Sequence, residues 1–259
     1  MTVIEYHRPG TMDEALTWLS QKDPACVPLG GGTGINRYGK MKIGVVDLQL
    51  LGLNGIDQEG ARIKVGATAT LQALLDSPST PPALRKAIEL EATHNQRQMA
   101  TIAGRLVTAD GRAPLATVLL AMDAELAWAP GEGKIGLGDW LPLRQALALD
   151  AGKKPGLVIT SIKWPARMAV AFQYVARTPA DKPIVCVGVA GWSSGRRRVA
   201  IGGYGQAPLL AMDGPEAGGA EEAAKDAYSQ AGDEWASAGY RQEMAVVLTR
   251  RCLQELDGI

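Results

Sequence analysis

A run of small residues near the start of the chain has the composition of a phosphate-binding turn. Positions 29–35 read LGGGTGI, directly after a strand-like segment. Consecutive glycines let backbone N–H groups approach an anion closely, and the hydroxyl of Thr33 adds a donor. The run does not match G-x-G-x-x-G, so it does not predict a Rossmann site. Taken alone, the residues leave open a phosphate cradle or a flexible turn.

A second segment of small residues lies farther along the chain. Positions 100–116 read ATIAGRLVTADGRAPLA, and LLAMDAEL follows at 119–126. The two segments are about seventy residues apart, and two anion-binding loops on separate subdomains could clamp a dinucleotide between them.

These two segments together resemble the FAD-binding medium subunit of molybdenum hydroxylases, the group of carbon monoxide dehydrogenase and xanthine dehydrogenase. In that family the first loop reads like AGGTDL, and the second reads like ATIGGNIANADPAADLP ahead of LLALDAEV. The resemblance continues through Ile159–Pro165, through Ala171–Arg177 with Asp181, and to Tyr240 and Arg241. It covers nearly the whole chain in the correct order.

The resemblance implies that FAD is the cofactor and that this chain is an oxidoreductase subunit with no catalytic residues of its own. The glycine run would hold the pyrophosphate, and its other side would be lined by Thr101, Ala103 and Gly104. Asp110 would lie near the ribose or adenine, and Ile159 would touch the flavin. The expected FAD-binding residues are Leu29, Gly30, Gly31, Gly32, Thr33, Gly34, Ile35, Thr101, Ala103, Gly104, Arg105, Asp110 and Ile159.

The resemblance also implies partners. Electrons would come from a molybdopterin-binding large subunit through a [2Fe–2S] small subunit, in a heterotrimer or a dimer of heterotrimers, and would leave from the flavin to an acceptor. Four residues depart from the family pattern: Ala103, Arg105, Pro114 and Gln173. They leave open an alternative, an FAD-free member of the same fold that acts as a scaffold or assembly protein.

Two further motifs compete with this interpretation. Positions 34–40 spell G-x-x-x-x-G-K, but Met41 stands where a P-loop needs a metal-binding Ser or Thr. Positions 191–195 fit G-x-S-x-G, but the residues that follow are strand-like and no histidine follows His94. We therefore expect neither a nucleotide hydrolase nor a serine hydrolase, and we predict a hairpin turn at 191–195.

Composition narrows the function classes. Lysine plus arginine and aspartate plus glutamate both count 27, so the zero net charge argues against nucleic acid as the main partner. Three scattered cysteines and two histidines speak against a disulfide framework and against a metal site held by this chain alone. No apolar stretch is long enough for a membrane span, and no signal peptide is recognisable, so a cytoplasmic location is expected.

The elements that must position these residues indicate an α+β protein in three parts. By resemblance, residues 1–55 and 56–165 form the two subdomains of an FAD-binding fold of the vanillyl-alcohol oxidase or PCMH type. Residues 166–259 form a small C-terminal α+β domain, with a three-stranded sheet at 169–177, 184–192 and 197–203, and helices.

Local patterns predict several of the elements within these parts. Thr11 begins a short helix with capping-box spacing, strands follow at 25–29 and 43–48, and residues 113–122 form a buried helix. Residues 101–109 are expected to be a buried loop or strand. Tyr240, Met244, Val247, Leu248 and Cys252 are expected on one face of the last helix.

Overall fold

The computed structural model describes residues 2–35, 41–131, 133–142 and 157–258. Its strands are β1 (Thr2–His7), β2 (Cys26–Leu29), β3 (Lys42–Asp47), β4 (Ile56–Glu59), β5 (Arg62–Gly66), β6 (Glu125–Ala129), β7 (Gly133–Gly136), β8 (Val158–Pro165), β9 (Ala169–Val175), β10 (Val185–Gly191), β11 (Arg197–Gly202) and β12 (Leu209–Gly214). Its helices are α1 (Met12–Leu19), α2 (Leu71–Asp76), α3 (Pro82–Glu91), α4 (His94–Arg97), α5 (Ile102–Thr108), α6 (Pro114–Ala121), α7 (Ala220–Asp226) and α8 (Ala238–Asp257). Residues 137–142 are also helical, and residues 49–51 form a 3-10 turn.

The chain divides into two compact units, neither of which is a continuous segment. Unit 1 comprises Met1–Ser77, His94–Thr108 and Glu125–Lys163, and unit 2 comprises Pro78–Thr93, Ala109–Ala124 and Trp164–Ile259. These limits differ from the predicted boundaries at 55 and 165, which stay a prediction. Each predicted part nevertheless contains the strands of one sheet.

Unit 1 contains a three-stranded parallel sheet and a five-stranded sheet. The parallel sheet has the order β1-β3-β2, and its central strand is buried along nearly its whole length, as expected for a strand covered on both faces. The five-stranded sheet has the order β4-β5-β8-β6-β7. Val158 of β8 packs into the apolar cluster that α1 forms with the first sheet, so the two sheets share a core.

Helix α1 begins where the sequence predicts. The hydroxyl of Thr11 accepts a hydrogen bond from the backbone N–H of Glu14 (3.3 Å), and the Glu14 carboxylate accepts one from the N–H of Gly10 (3.0 Å). These two bonds satisfy donors that the helix start would otherwise leave unpaired. Ala15 and Leu19 are then buried against the sheet.

Helix α5 replaces the loop or strand predicted for residues 101–109, so that prediction is wrong. The backbone N–H of Gly104 donates to the hydroxyl of Thr101 (3.2 Å), which starts the helix. Ile102 and Leu106, four residues apart, are both fully buried. The threonines and small residues had suggested an extended chain, but burial of one helical face decides the conformation.

Unit 2 contains an antiparallel sheet of the order β12-β11-β10-β9, flanked by helices. Every residue of β10 is buried, and Val187 and Val189 share an apolar core with Leu248 and Cys252 of α8. The prediction of three strands is wrong, since β12 is a fourth. Its outer position leaves its residues largely exposed or half-buried, so no buried alternating pattern marks it in the sequence.

The buried face of α8 differs in part from the predicted one. Leu248 and Cys252 are buried, but Tyr240 is 40% exposed, and Arg241 beside it has no exposed surface. The buried face of α8 begins with Arg241, whose guanidinium is hydrogen-bonded inside the unit. A search for apolar residues at helical spacing therefore misses this position.

Of the two competing motifs, the G-x-S-x-G segment is described by the structure, whereas most of the G-x-x-x-x-G-K segment is not. At 191–195 the backbone N–H of Trp192 donates to the Arg196 carbonyl (3.1 Å), and Gly195 has a φ of +94°, so the predicted hairpin turn is confirmed. Residues 36–40 of the G-x-x-x-x-G-K segment lie outside the described residues.

The three cysteines are free and buried, as predicted. Burial raises the pKa of the Cys186 thiol to about 12, so this thiol is protonated at neutral pH. Within the described part of the chain, no helix has both the length and the apolar character needed to cross a membrane.

One acidic side chain of unit 1 gives a pH-dependent prediction. Hydrogen bonds from Lys163 (2.6 Å) and Lys64 (2.7 Å) lower the pKa of Glu59 from 4.5 to about 2. A lowered folded-state pKa contributes stability above pH 4.5, and that contribution is lost as the pH falls toward 2.

We therefore expect Glu59→Gln to lower the melting temperature at pH 7 in low salt, with the difference from wild type disappearing near pH 2. Thermal unfolding of both proteins across this range measures it, and added salt should reduce the difference because the group is exposed. Glu243→Gln, at another exposed glutamate, controls for the lost charge. A difference that persisted unchanged to pH 2 would contradict the assignment to this ion pair.

Candidate functional site

The glycine-rich run forms a turn at the carboxyl edge of the parallel sheet. It leaves β2 at Leu29, whose carbonyl accepts a hydrogen bond from the N–H of Leu48 just after β3 (3.0 Å). Gly32 has a φ of +72°, which side chains rarely tolerate. In sheets with parallel strands, ligands bind in the crevice outside the carboxyl ends of the strands. The turn is therefore at the edge where a ligand is expected.

The turn offers backbone donors to an anion. The N–H of Ile35 bonds to the carbonyl of Gly32 (3.3 Å). Among the residues that the structure describes, the N–H groups of residues 31–34 donate to no backbone carbonyl. A row of uncommitted N–H groups in a glycine-rich turn is the arrangement that binds phosphate oxygens.

The second segment is fixed by backbone hydrogen bonds to the loop between β5 and α2. Thr101 forms a bridge with Thr70, and the N–H groups of Ile102 and Ala103 donate to the carbonyls of Ala69 (3.0 Å) and Ala67 (3.2 Å). The segment and the glycine turn thus come from different parts of unit 1 and are each anchored to a sheet or its connecting loop.

The two segments meet at the glycines. A Cβ at Gly30 would lie 2.8 Å from the hydroxyl of Thr101, and a Cβ at Gly31 would overlap the backbone carbonyl of Met99. Side chains at these positions would push the segments apart. The glycine run therefore serves the close approach of two backbones as well as the turn itself.

A cavity of about 140 Å³ lies along this contact. It is lined by most of the predicted FAD-binding residues, namely Leu29, Gly30, Gly31, Gly32, Thr33, Gly34, Ile35, Thr101, Ala103, Gly104 and Ile159. The fold thus brings together three stretches of sequence that the motifs indicated separately. That these residues bind FAD stays a prediction.

Two predicted residues do not line this cavity. Arg105 lies in α5, and its guanidinium donates to the Gln96 side chain (3.4 Å). Asp110 belongs to unit 2, where its carboxylate accepts a charged hydrogen bond from Lys182 (2.5 Å). Neither residue lines this cavity, and the predicted roles of Arg105 and Asp110 in FAD binding stay predictions.

A second cavity, of about 770 Å³, adjoins the same glycines on unit 1. This volume is in the range of small-molecule sites, roughly 300–1,000 Å³. Gly30, Gly31, Gly32 and Thr101 line both cavities, so the two cavities adjoin at the glycine turn and are together called the cleft. Sequence reasoning did not identify most of its other residues, which include Tyr6, Arg8, Asp47, Gln49, Asn54 and Gln98.

Polar groups at the strand ends converge in this second cavity. The Tyr6 hydroxyl donates to the buried carboxylate of Asp47, which raises the pKa of Tyr6. The other oxygen of Asp47 accepts from the N–H of Gln49 (2.9 Å), and Arg8 lies 3.6 Å from the carboxylate. The sequence signal that could have indicated this group is Asp47, an acidic residue at the end of the apolar strand β3.

Two of the departures from the family pattern, at Ala103 and Arg105, do not strain the backbone. Ala103 lies within helix α5, where φ is negative, so an alanine is not strained there. Its side chain lines the cavity. Arg105 is also helical, with its side chain directed to Gln96. A glycine is therefore not required at position 103 by the conformation of this loop.

The other two departures occupy structural positions in unit 2. Pro114 is the first residue of α6, where its missing N–H costs no helical hydrogen bond. The side-chain amide of Gln173 on β9 donates to Glu255 of α8 (2.8 Å). Both residues are accommodated by local packing, and neither lines the cavities of unit 1.

Comparison with known proteins identifies the family. Residues 2–167 match the model of the FAD binding domain in molybdopterin dehydrogenase. The chain belongs to this family. The expectation of an FAD-binding medium subunit of the molybdenum hydroxylase class, and with it an oxidoreductase subunit, is confirmed at this level.

Individual relatives agree with this assignment. The uncharacterized protein YgfM of Escherichia coli K12 is 29% identical over 215 residues, which cover 82% of this chain and 78% of YgfM. The carbon monoxide dehydrogenase medium chain of Afipia carboxidovorans is 25% identical over 279 aligned residues, covering 97% and 96% of the two chains. A solved carbon monoxide dehydrogenase from Hydrogenophaga pseudoflava shares the fold, with a TM-score of 0.81, 22% identity and coverage of 98% and 97%. The expected fold class is thereby confirmed.

The residues of the cleft fit FAD. The uncommitted N–H groups of the glycine turn suit a pyrophosphate, and the absence of Cβ atoms at Gly30 and Gly31 lets two loops enclose the same ligand. The apolar side chains of Leu29, Ile35 and Ile159 line the smaller cavity, where a ring system would find nonpolar contacts.

Proposed function

We propose that this chain carries FAD within a molybdenum hydroxylase and relays electrons from a partner [2Fe–2S] subunit to an external acceptor. A molybdopterin-binding large subunit would complete the heterotrimer or its dimer and would choose the substrate. The observation that supports this most directly is the cleft itself, in which the glycine turn and the second loop meet. The medium chain of carbon monoxide dehydrogenase, similar along almost the whole chain, supports the same role.

In this proposal the protein binds and orients the cofactor, which supplies reversible one- and two-electron redox chemistry. The N–H groups of residues 31–34 and the Thr33 hydroxyl would hold the pyrophosphate. Thr101 and Gly104 would close the opposite side, and Ile159 would contact the ring system. The chain performs no proton transfer on a substrate in this scheme.

The deciding experiment is an absorption spectrum of the purified chain before and after addition of FAD, followed by gel filtration. Retained flavin bands near roughly 370 and 450 nm would support the proposal. Tryptophan quenching during the titration gives the affinity. A colourless chain that binds no FAD, alone or with co-expressed large and small subunits, would overturn it in favour of the FAD-free scaffold.

The hydroxyl of Thr101 allows a conservative test of the second loop. Thr101→Val keeps the shape but removes the acceptor for the Gly104 N–H. Since one hydrogen bond contributes about 0.5–1.5 kcal/mol, we expect FAD binding to weaken by up to about tenfold. Fluorescence titration measures the change, and Thr101→Ser, which keeps the hydroxyl, should bind nearly as wild type. Equal affinity of the valine variant and wild type would show that the Thr101 hydroxyl is not needed to bind the cofactor.

A further inference from the structure

Three side chains whose atoms can ligate a metal lie close together on one face of the parallel sheet in unit 1. Glu5 and His7 lie two residues apart on β1, so both point to the same face, and Cys26 lies on β2. A carboxylate oxygen, an imidazole nitrogen and the sulfur all lie within 4.8 Å of one another. Tyr6, between the first two, lies on the opposite face and lines the larger cavity. This Glu5–His7–Cys26 cluster is therefore separate from the proposed FAD cleft.

A glycine on the central strand makes the cluster possible. Glu5 and Cys26 both pair in register with Gly44 of β3, which lies between them. Two outer strands of a three-stranded sheet are about 9.5 Å apart, and a side chain at the central position would normally separate them. A Cβ at Gly44 would overlap the Cys26 sulfur. The missing side chain leaves the space in which the sulfur and the carboxylate approach each other.

Neighbouring groups orient two of the three side chains. The ring of His7 stacks on Trp18 of α1, with the ring centres 3.7 Å apart. The Glu5 carboxylate is 3.0 Å from His7 Nε2 and accepts a hydrogen bond from the Gln21 amide (3.2 Å). Hydrogen bonds to a ligating carboxylate are the usual supporting contacts of a metal site, since they fix the orientation of the ligand.

We propose that the Glu5–His7–Cys26 cluster binds a zinc ion. Zinc takes sulfur, imidazole and carboxylate ligands in tetrahedral geometry, in which ligand atoms are roughly 3.3–3.7 Å apart. The candidate ligand atoms, all within 4.8 Å of one another, are close to this spacing. Magnesium and calcium prefer oxygen ligands throughout, so the sulfur and imidazole favour zinc. The Glu5 and His7 side chains are 36% and 17% exposed, which leaves a fourth position open to water.

Sequence patterns gave no indication of this site. Its ligands are single residues on two strands, without the paired spacing that marks structural zinc sites. The cysteines and histidines are scattered along the sequence, which is why composition spoke against a metal site. The parallel pairing of β1 and β2 with β3 brings one cysteine and one histidine together.

The test uses the full chain, freed of metal with a chelator and titrated with zinc in competition with a chromophoric chelator. We expect one zinc ion per chain. Cobalt in place of zinc should produce a sulfur-to-cobalt charge-transfer band in the difference spectrum, and Cys26→Ser should remove that band. A band that survives in this variant would assign the metal to another cysteine and overturn the proposal.

The chain contains two histidines, which provide a matched control. His7→Gln should weaken zinc binding on the order of 100-fold and Glu5→Gln on the order of tenfold, whereas His94→Gln should leave it unchanged. Both cluster variants replace partly exposed side chains, and circular dichroism checks their folding. Equal zinc affinity of His7→Gln and His94→Gln, or no zinc binding by the wild type, would overturn the proposal. FAD content is not part of this readout, so the result is independent of the proposed electron relay.

Discussion

Replacing Gly31 by alanine is expected to abolish retention of FAD during gel filtration. A Cβ at this position would overlap the backbone carbonyl of Met99, and a carbonyl of the main chain cannot rotate away as a side chain can. The glycine turn and the second loop must then separate. We expect FAD affinity to fall by at least about 100-fold, equivalent to about 2.7 kcal/mol, because both sides of the cleft lose their spacing.

Tryptophan quenching with added FAD measures this loss, and thermal unfolding shows how much of it accompanies a general destabilisation. Gly10→Ala is the matched control, since Gly10 is an exposed glycine of unit 1 with no atom within 4 Å of an added Cβ. That variant should bind FAD as wild type. Normal FAD affinity in Gly31→Ala would mean that the close contact of the two loops is not needed to bind the cofactor.

Replacing Arg241 by methionine should give the largest loss of stability in unit 2. The arginine is fully buried, and its guanidinium donates to the carbonyls of Ile184 (3.2 Å), Ala236 (2.9 Å) and Ala231 and to the carboxylate of Asp233 (2.8 Å). Methionine fills much of the volume but donates nothing. Removing one partner of a buried charged network costs about 3–5 kcal/mol, because the remaining polar groups stay buried without donors.

Urea denaturation followed by tryptophan fluorescence and circular dichroism measures this change. Arg250→Met on the same helix is the control, since Arg250 forms an exposed ion pair with Glu221 (2.6 Å) and its side chain is 56% exposed. Such surface pairs contribute about 0–1 kcal/mol. Similar losses in the two variants would show that the buried network does not stabilise unit 2 beyond a surface contact.

The elements that sequence predicted correctly are those with strong local signals. Thr11 caps α1, and the largely apolar residues 113–122 contain the buried helix α6. The errors occur where a tertiary contact overrides a weak local pattern. Helix α5 depends on burial of one face and on the Thr101 cap, and β12 is held by pairing with β11 while most of its side chains remain exposed.

In the candidate site, too, local sequence predicted some residues and tertiary contacts decided others. The composition of residues 29–35 and of the second loop indicated a dinucleotide, and the resemblance indicated FAD, which the family match supports. The strand-end group of Tyr6, Arg8 and Asp47 was not predicted, because only the parallel pairing of β1 with β3 places these residues together.

The amino-acid sequence alone identifies which residues have the freedom to bind a phosphate, since glycine conformation and backbone donors are properties of residue type. It also determined the family, because the two loops and the segments after them occur in the family's order. The tertiary structure decided which of those residues share a cavity, that Asp110 pairs with Lys182, and that Glu5, His7 and Cys26 meet at Gly44. These outcomes depend on strand order and register, which bring distant residues together and which no local pattern encodes.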